Sequence, residues 1–233
     1  MTLTLPANPC FREVDRSQKR YVVLMGSAGS GKSVDTAQHY LLRLMQDKGR
    51  NLLCVRKSDI TNRDSTFGEL TGALYRMFGG KAGRYWQVNL SPMSLVCRHN
   101  GNTIIFRGVN DERQREKLKS ITFQRGKLTD VWIEEATEIT QSDFEIIDNR
   151  LRGELPPGQF YQIRLTFNPV SKITGLRRSF LILPTPMCSP TTPPIWKTGL
   201  STTPTANEWS GASGWTRKGI GFTAWGNGGK PAG

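Results

Sequence analysis

The sequence predicts an α/β fold, a mainly parallel sheet flanked by helices and followed by a poorly structured C-terminal segment. Three observations predict it. Short apolar runs of strand length alternate with stretches of helical spacing as far as residue 168. A glycine-rich loop joins the first of these runs to the first long helix. The composition then changes abruptly near residue 171.

The elements follow in chain order. Residues 21–25 (YVVLM) form an apolar run that ends at Gly26, the pattern of a fully buried strand. From Lys32, the residues Val34, Ala37, Leu41, Leu44 and Met45 fall on one helical face, and the helix is expected to stop near Lys48 and Gly49. Residues 51–56 (NLLCVR) are the next strand, and a second helix is expected over 67–78. Residues 93–98 and 103–107 flank Asn100-Gly101 and read as a hairpin. Residues 131–134 (VWIE) form another buried strand. Thr140 and Asp143 have capping-box spacing before a helix carrying Phe144, Ile147 and Leu151. Residues 161–168 (YQIRLTFN) close the series. Strands alternating with helices imply βαβ units.

The chain has 233 residues and a net charge of +13, with a pI near 10.0. That charge points to a polyanionic partner and is silent about fold. Four scattered Cys without a CxxC pair, and only two His, argue against a zinc site. The start MTLTLPANPCF lacks the pattern of a secretory signal, and no apolar stretch is long enough to span a bilayer. Residues 1–171 carry 25 basic and 18 acidic residues. Residues 172–233 carry 7 basic residues against the single acid Glu208, together with 7 of the 13 Pro, 10 of the 24 Gly and 4 of the 6 Trp. The expected organisation is therefore a nucleotide-binding domain over 1–171 and an unpatterned tail over 172–233.

The chemistry is carried by the loop and by two later strand ends. Gly26, Ser27, Ala28, Gly29, Ser30, Gly31, Lys32 and Ser33 satisfy GxxxxGK[ST] between a strand and a helix. Glycines let successive N–H groups turn toward phosphate oxygens, and the helix N-terminus adds positive partial charge. Lys32 is placed to reach the β and γ phosphates, and Ser33 to offer its hydroxyl to Mg²⁺. At the end of VWIE, Glu134 is expected to hold Mg²⁺ and Glu135 to orient the attacking water. The fold class is thus a P-loop NTPase of the type with an additional catalytic glutamate. ATP and Mg²⁺ are the expected ligands.

The strings GSAGSGKS, CVRKSDITNRDSTFGEL, GNTIIFRG, EKLKSI, VWIEEATE, NRLRG and LTFNP, in that order over residues 8–170, resemble the ATPase domain of the large subunit of tailed-phage terminases. The nearest branch is the one typified by defective Bacillus prophages. The resemblance implies an ATP-driven motor that threads double-stranded DNA into a procapsid. It would work with the portal protein and the terminase small subunit, as a homo-oligomer when full length, in the bacterial host's cytoplasm and without a membrane. It also implies that Thr166, Phe167 and Asn168 form the coupling motif. Many relatives carry Arg at the position of Ala28, so an arginine finger would come from a neighbouring subunit, with Arg107 and Arg115 as candidates. Arg113, Arg115, Lys117 and Lys119 form a basic run that could meet DNA phosphates. The alternatives are another P-loop DNA-translocating ATPase and an inactive nucleotide-binding remnant.

Such terminases usually continue into a nuclease domain. Two-metal cleavage needs several convergent carboxylates, and only Glu208 follows Glu154, so no nuclease activity is expected. The family text after the coupling motif contains TTYLENRF and DPEGYRVYGLGEWG. Read one base late, compatible codons become PPIWKTGL, TRKGIGF and TAWGNGG, which stand here at 193–200, 216–222 and 223–229. The order and spacing fit a change of reading frame between about Pro169 and Gly175.

Overall fold

The computed structural model describes residues 8–168 in full and, as backbone alone, Thr2–Pro6, Ile195–Gly199 and Phe222–Ala224. In chain order the elements are β1 (Thr2–Pro6), α1 (Arg12–Arg16), β2 (Tyr21–Met25), α2 (Lys32–Gln46), β3 (Arg50–Arg56), α3 (Asp59–Asn62), α4 (Gly68–Phe78) and α5 (Ala82–Tyr85). They continue with β4 (Trp86–Leu90), β5 (Met93–Cys97), β6 (Thr103–Gly108), α6 (Glu112–Lys119), β7 (Lys127–Glu134), α7 (Gln141–Asp148), β8 (Gln162–Phe167), β9 (Ile195–Gly199) and β10 (Phe222–Ala224).

Seven strands form the main sheet in the order β2-β8-β7-β3-β6-β5-β4. The pairings among β2, β8, β7, β3 and β6 are parallel, and those of β6 with β5 and of β5 with β4 are antiparallel. The expected hairpin is therefore present, and it carries an added edge strand, β4. That strand was missed although its sequence, WQVNL, alternates apolar and polar residues; at the sheet edge the pattern gains little burial, and Val88 and Leu90 stay exposed. A separate sheet of order β1-β9-β10 is antiparallel, and its two strands from the tail were not expected. The rest of the tail lies outside the described residues, as does the reading-frame argument.

Strand alternation sorts the core into two layers. Leu52 and Cys54 of β3, Ile104 and Phe106 of β6 and Trp132 of β7 face α2 and α4, where they meet Tyr40, Leu41, Leu44, Leu70 and Leu74. Leu53 and Val55, Val131 and Ile133, and Ile163 and Leu165 face the other way, against Leu118 of α6 and Ile147 of α7. Both faces of the central strands are covered, which is why β3 carries an unbroken apolar run over 52–55, whereas β8 alternates Ile163, Leu165 and Phe167 on one face with the buried polar Gln162, Arg164 and Thr166 on the other. Burial of each such aliphatic side chain contributes roughly 1.5–3 kcal/mol. A third, smaller cluster joins Phe11 to Val22 and Leu24 and seats the N-terminal segment on β2.

The capping box is present: the Thr140 hydroxyl accepts from the Asp143 amide, and the Asp143 carboxylate accepts from the Thr140 amide. The turns at the N-terminal ends of β3 and β7 meet at two glycines. A Cβ on Gly126, whose φ is +71°, would lie 2.1 Å from the Gly49 carbonyl oxygen, so position 126 admits no side chain.

Beneath the sheet and behind α2 lies a set of buried charges. Asp130 pairs with Arg43 at 3.1 Å and with Arg50 at 3.2 Å, and Arg50 also pairs with Asp47 at 3.0 Å. The Arg43 guanidinium stacks 4.0 Å from the centre of the Phe160 ring. Midway along β8, Arg164 reaches Asp15 and Asp35, and His39 Nδ1 lies 3.1 Å from Asp15. Burial, together with Arg164 beside it, pushes the His39 pKa down to about 4 against the pull of Asp15. The imidazole is therefore neutral near pH 7 and donates its Nδ1 proton to Asp15. No helix among the described residues is long and apolar enough to cross a membrane.

Candidate functional site

The parallel registers bring the predicted strand ends to one level. Met25 pairs with Phe167 and Glu134 with Thr166. The loop that leaves β2, the carboxylates that end β7 and the segment 166–168 that ends β8 therefore converge at the C-terminal edge of the sheet. In open α/β sheets ligands bind in the crevice at that edge. A cleft of about 250 Å³ opens there, lined by residues 28–34, Glu69, Glu134, Glu135 and residues 166–168.

The loop keeps its shape through backbone that favours glycine. Gly29 has φ +78° and Gly31, the residue capping α2, has φ +84°. Added Cβ atoms would find room at both positions, so conformation rather than space is the constraint. The Lys32 ammonium folds back onto its own loop. It donates to the Gly26 carbonyl at 2.6 Å, the Ser27 carbonyl at 3.0 Å, Ser30 Oγ at 3.0 Å and Asn168 Oδ1 at 3.2 Å. Burial lowers its pKa, while Glu135 and then Glu134 oppose that shift. These four acceptors are weaker partners for an ammonium than phosphate oxygens would be, so a polyphosphate could displace them.

Ser33 Oγ donates to Glu134 Oε1 at 3.0 Å. The other oxygen, Oε2, accepts from Arg56 Nη1 at 3.3 Å. A second nitrogen of Arg56 lies 3.6 Å from Glu138 Oε2. Among the described residues no group of three or more His, Cys, Asp or Glu forms a metal cage. Ser33 and Glu134 nevertheless fit Mg²⁺, because this hard cation is usually held by one or two protein oxygens together with substrate phosphates and water.

Glu135 is the one non-glycine residue among those described with positive φ, at φ 49° and ψ 53°. Such a conformation costs of order 1–3 kcal/mol and is a recurrent feature of functional sites. Its Oε1 accepts from Asn168 Nδ2 at 3.2 Å. Asn168 thus stands between Lys32 and Glu135, accepting from one and donating to the other. Thr166 is buried, and its hydroxyl accepts from the Trp132 indole at 2.9 Å, which ties the strand of the paired glutamates to segment 166–168.

The structure brings together the whole predicted set except the two finger candidates. Arg107 donates to the Phe106 carbonyl at 2.8 Å, Arg115 is held by Asp143 at 2.6 Å, and neither lines the cleft. Sequence reasoning missed Arg56, Glu138 and Glu69. The first two stand inside the strings CVRK and EEATE, but nothing in one dimension shows that a guanidinium ending β3 meets the turn after β7. Glu69 lines the cleft from the first turn of α4, ion-paired with Arg76.

The model of a family described as phage terminase large subunit matches residues 18–183. The terminase large subunit of Bacillus phage SPP1 is 34% identical over 161 residues, covering 68% of this chain and 36% of that protein. The PBSX phage terminase large subunit of Bacillus subtilis strain 168 is 32% identical over 174 residues, covering 74% of this chain and 37% of that protein. The matched part therefore spans little more than a third of either relative. The solved structure of a large terminase from a thermophilic bacteriophage shares the fold, with a TM-score of 0.56 and 17% identity over 71% of this chain and 40% of that one. The match over most of the described residues, together with the P-loop facing two carboxylates, leads to one conclusion: the chain belongs to the phage terminase large subunit family.

Proposed function

We propose that residues 1–171 form the ATP-hydrolysing motor domain of a DNA-packaging terminase. The observation that carries this reading is the convergence of Lys32, Ser33, Glu134, Glu135 and Asn168 on one cleft. Lys32 would exchange its loop carbonyls for the β and γ phosphates. Ser33 and Glu134 would hold Mg²⁺, which when bound neutralises charge on the phosphate oxygens. Glu135 would orient and polarise the attacking water. Asn168 touches both Lys32 and Glu135, so it is placed to register the γ-phosphate and pass its loss to β8 as the coupling residue.

The partners would be double-stranded DNA, the portal protein, the terminase small subunit and further copies of the chain, in the cytoplasm of the bacterial host. Arg107 or Arg115 would act as a finger toward a neighbouring subunit, whose cleft lacks an arginine at Ala28. ATP hydrolysis by the purified chain, stimulated by DNA and abolished in Lys32→Ala, is the expected result. Equal hydrolysis by Lys32→Ala would overturn the motor reading. A chain that binds ATP but never hydrolyses it would be the inactive remnant, a reading favoured by the change of composition after residue 171.

For the tail we propose out-of-frame translation and no nuclease. Sequencing the DNA across codons 165–180 is expected to reveal a single-base insertion or deletion whose correction restores the family text. Metal-dependent DNA nicking by the pure chain would contradict the second part.

A further inference from the structure

The glutamates of the EEATE string do not all have a task in the mechanism above. Glu134 and Glu135 do, whereas Glu138 stands on the turn beyond them, partly exposed. Arg56, the last residue of β3, also lacks one. The two meet each other, and Arg56 also meets Glu134. The next residue, Lys57, turns elsewhere, to Asp143. The Arg56 guanidinium forks between Glu134 Oε2 at 3.3 Å and Glu138 Oε2 at 3.6 Å. It is largely buried, and its Nε has no hydrogen-bond partner among the described residues. The two carboxylates are therefore the partners that account for its position. Arg56 occupies one oxygen of Glu134 and leaves Oε1 turned to Ser33.

We propose that Arg56 is a positioning residue for the metal site, orienting Glu134 so that Oε1 alone faces the Ser33 hydroxyl, with Glu138 as the tether that keeps the guanidinium in place. This rests on the reading of Ser33 and Glu134 as the groups that hold Mg²⁺. The geometry has two consequences. A carboxylate engaged on one oxygen offers a single acceptor to the hydration shell of a cation, which suits a metal held mainly by phosphates and water. The positive charge also pairs with both Glu134, which ends β7, and Glu138, on the turn after it, two like charges that would otherwise repel each other.

The test is a Mg²⁺ titration of fluorescent ADP binding to the whole 233-residue chain, with the affinity in EDTA measured alongside. Arg56→Gln is expected to raise the half-saturating Mg²⁺ concentration about tenfold, the usual scale for losing a group that orients a ligand. The affinity in EDTA should stay unchanged, which a merely structural defect would not allow. Arg56→Lys keeps the charge without the fork and should fall between wild type and Arg56→Gln. Glu138→Gln should shift the midpoint in the same direction by about threefold, as for a partly exposed pair. Ser33→Ala and Glu134→Gln serve as controls. If they shift the midpoint and Arg56→Gln does not, the positioning role is wrong. If neither control shifts it, the underlying metal reading is what fails. Should Arg56→Gln fail to fold, Arg56→Lys and Glu138→Gln decide the question, and wild-type midpoints in both would overturn the proposal.

Discussion

The two ends of the parallel sheet use charge in opposite ways. At the N-terminal ends of the strands, Asp130 is sealed between Arg43 and Arg50, with Phe160 stacked on one guanidinium. At the C-terminal ends, Lys32, Glu134 and Glu135 border an open cleft and hold on to loop carbonyls, a serine hydroxyl and an amide. The first set has nowhere else to go, because separating a buried pair strands a charge without water. The second set has partners that a phosphate, a metal ion or a water molecule can replace. Similar residue types thus serve as a clamp at one end and as an exchangeable site at the other, and the difference lies in access to solvent and ligand.

The largest expected effect is at the sealed end. Asp130→Ala would leave Arg43 and Arg50 without their shared carboxylate and should destabilise the fold by about 3–5 kcal/mol, measured by urea unfolding. A loss below about 1 kcal/mol would mean that water reaches this end as well.

Next comes His39, which borders the same buried network. Its folded pKa of about 4 lies below the ordinary value of 6.5. Between these two values the unfolded chain binds a proton that the folded chain does not, so stability is complete above about pH 6.5 and falls as the pH drops toward 4. By pH 5 the wild type should have lost about 2 kcal/mol more than His39→Gln. Parallel pH profiles in the two proteins would show that His39 takes up its proton without penalty. The comparison with the variant matters because burial, with Asp15 nearby, raises the pKa of Asp35 against Arg164, and that acts in the opposite sense.

The smallest effect belongs to the open end. Glu135→Gly should be more stable than Glu135→Ala by about 1 kcal/mol, because glycine accepts the positive φ that alanine resists. Both variants should lose hydrolysis alike. Equal stability of the two would show that the turn relaxes once the carboxylate is gone. A strained non-glycine backbone is thus expected where the chemistry is, whereas the sealed end leaves its positive φ angles to Gly49 and Gly126 and relies on tight ionic packing.

Much of the site was legible in one dimension because its parts are local. The loop from Gly26 to Ser33 has its meaning in spacing alone, and the paired glutamates follow their strand directly. The strands β3 and β7 announced themselves because burial on both faces demands unbroken apolar runs, β2 through its short apolar run before the glycine loop, and β8 through its alternation of apolar and polar residues. β4 did not, since an edge strand with one exposed face carries no such demand. Helix α6 was read only as a basic run, because Leu118 is the single buried residue in it.

The sequence by itself determined the nucleotide loop, the succession of β2, α2, β3, α4, β5, β6, β7, α7 and β8, and the family. Each of these depends on residues close together in the chain, whose periodicity and turn chemistry are read directly. Only the tertiary structure decided which distant charges meet. It placed Arg56 of β3 on Glu134 at the end of β7 and on Glu138 beyond it, Asn168 between Lys32 and Glu135, and Asp130 between two arginines of other elements. Those contacts depend on strand order and register. A parallel sheet sets both through crossovers that no local pattern encodes.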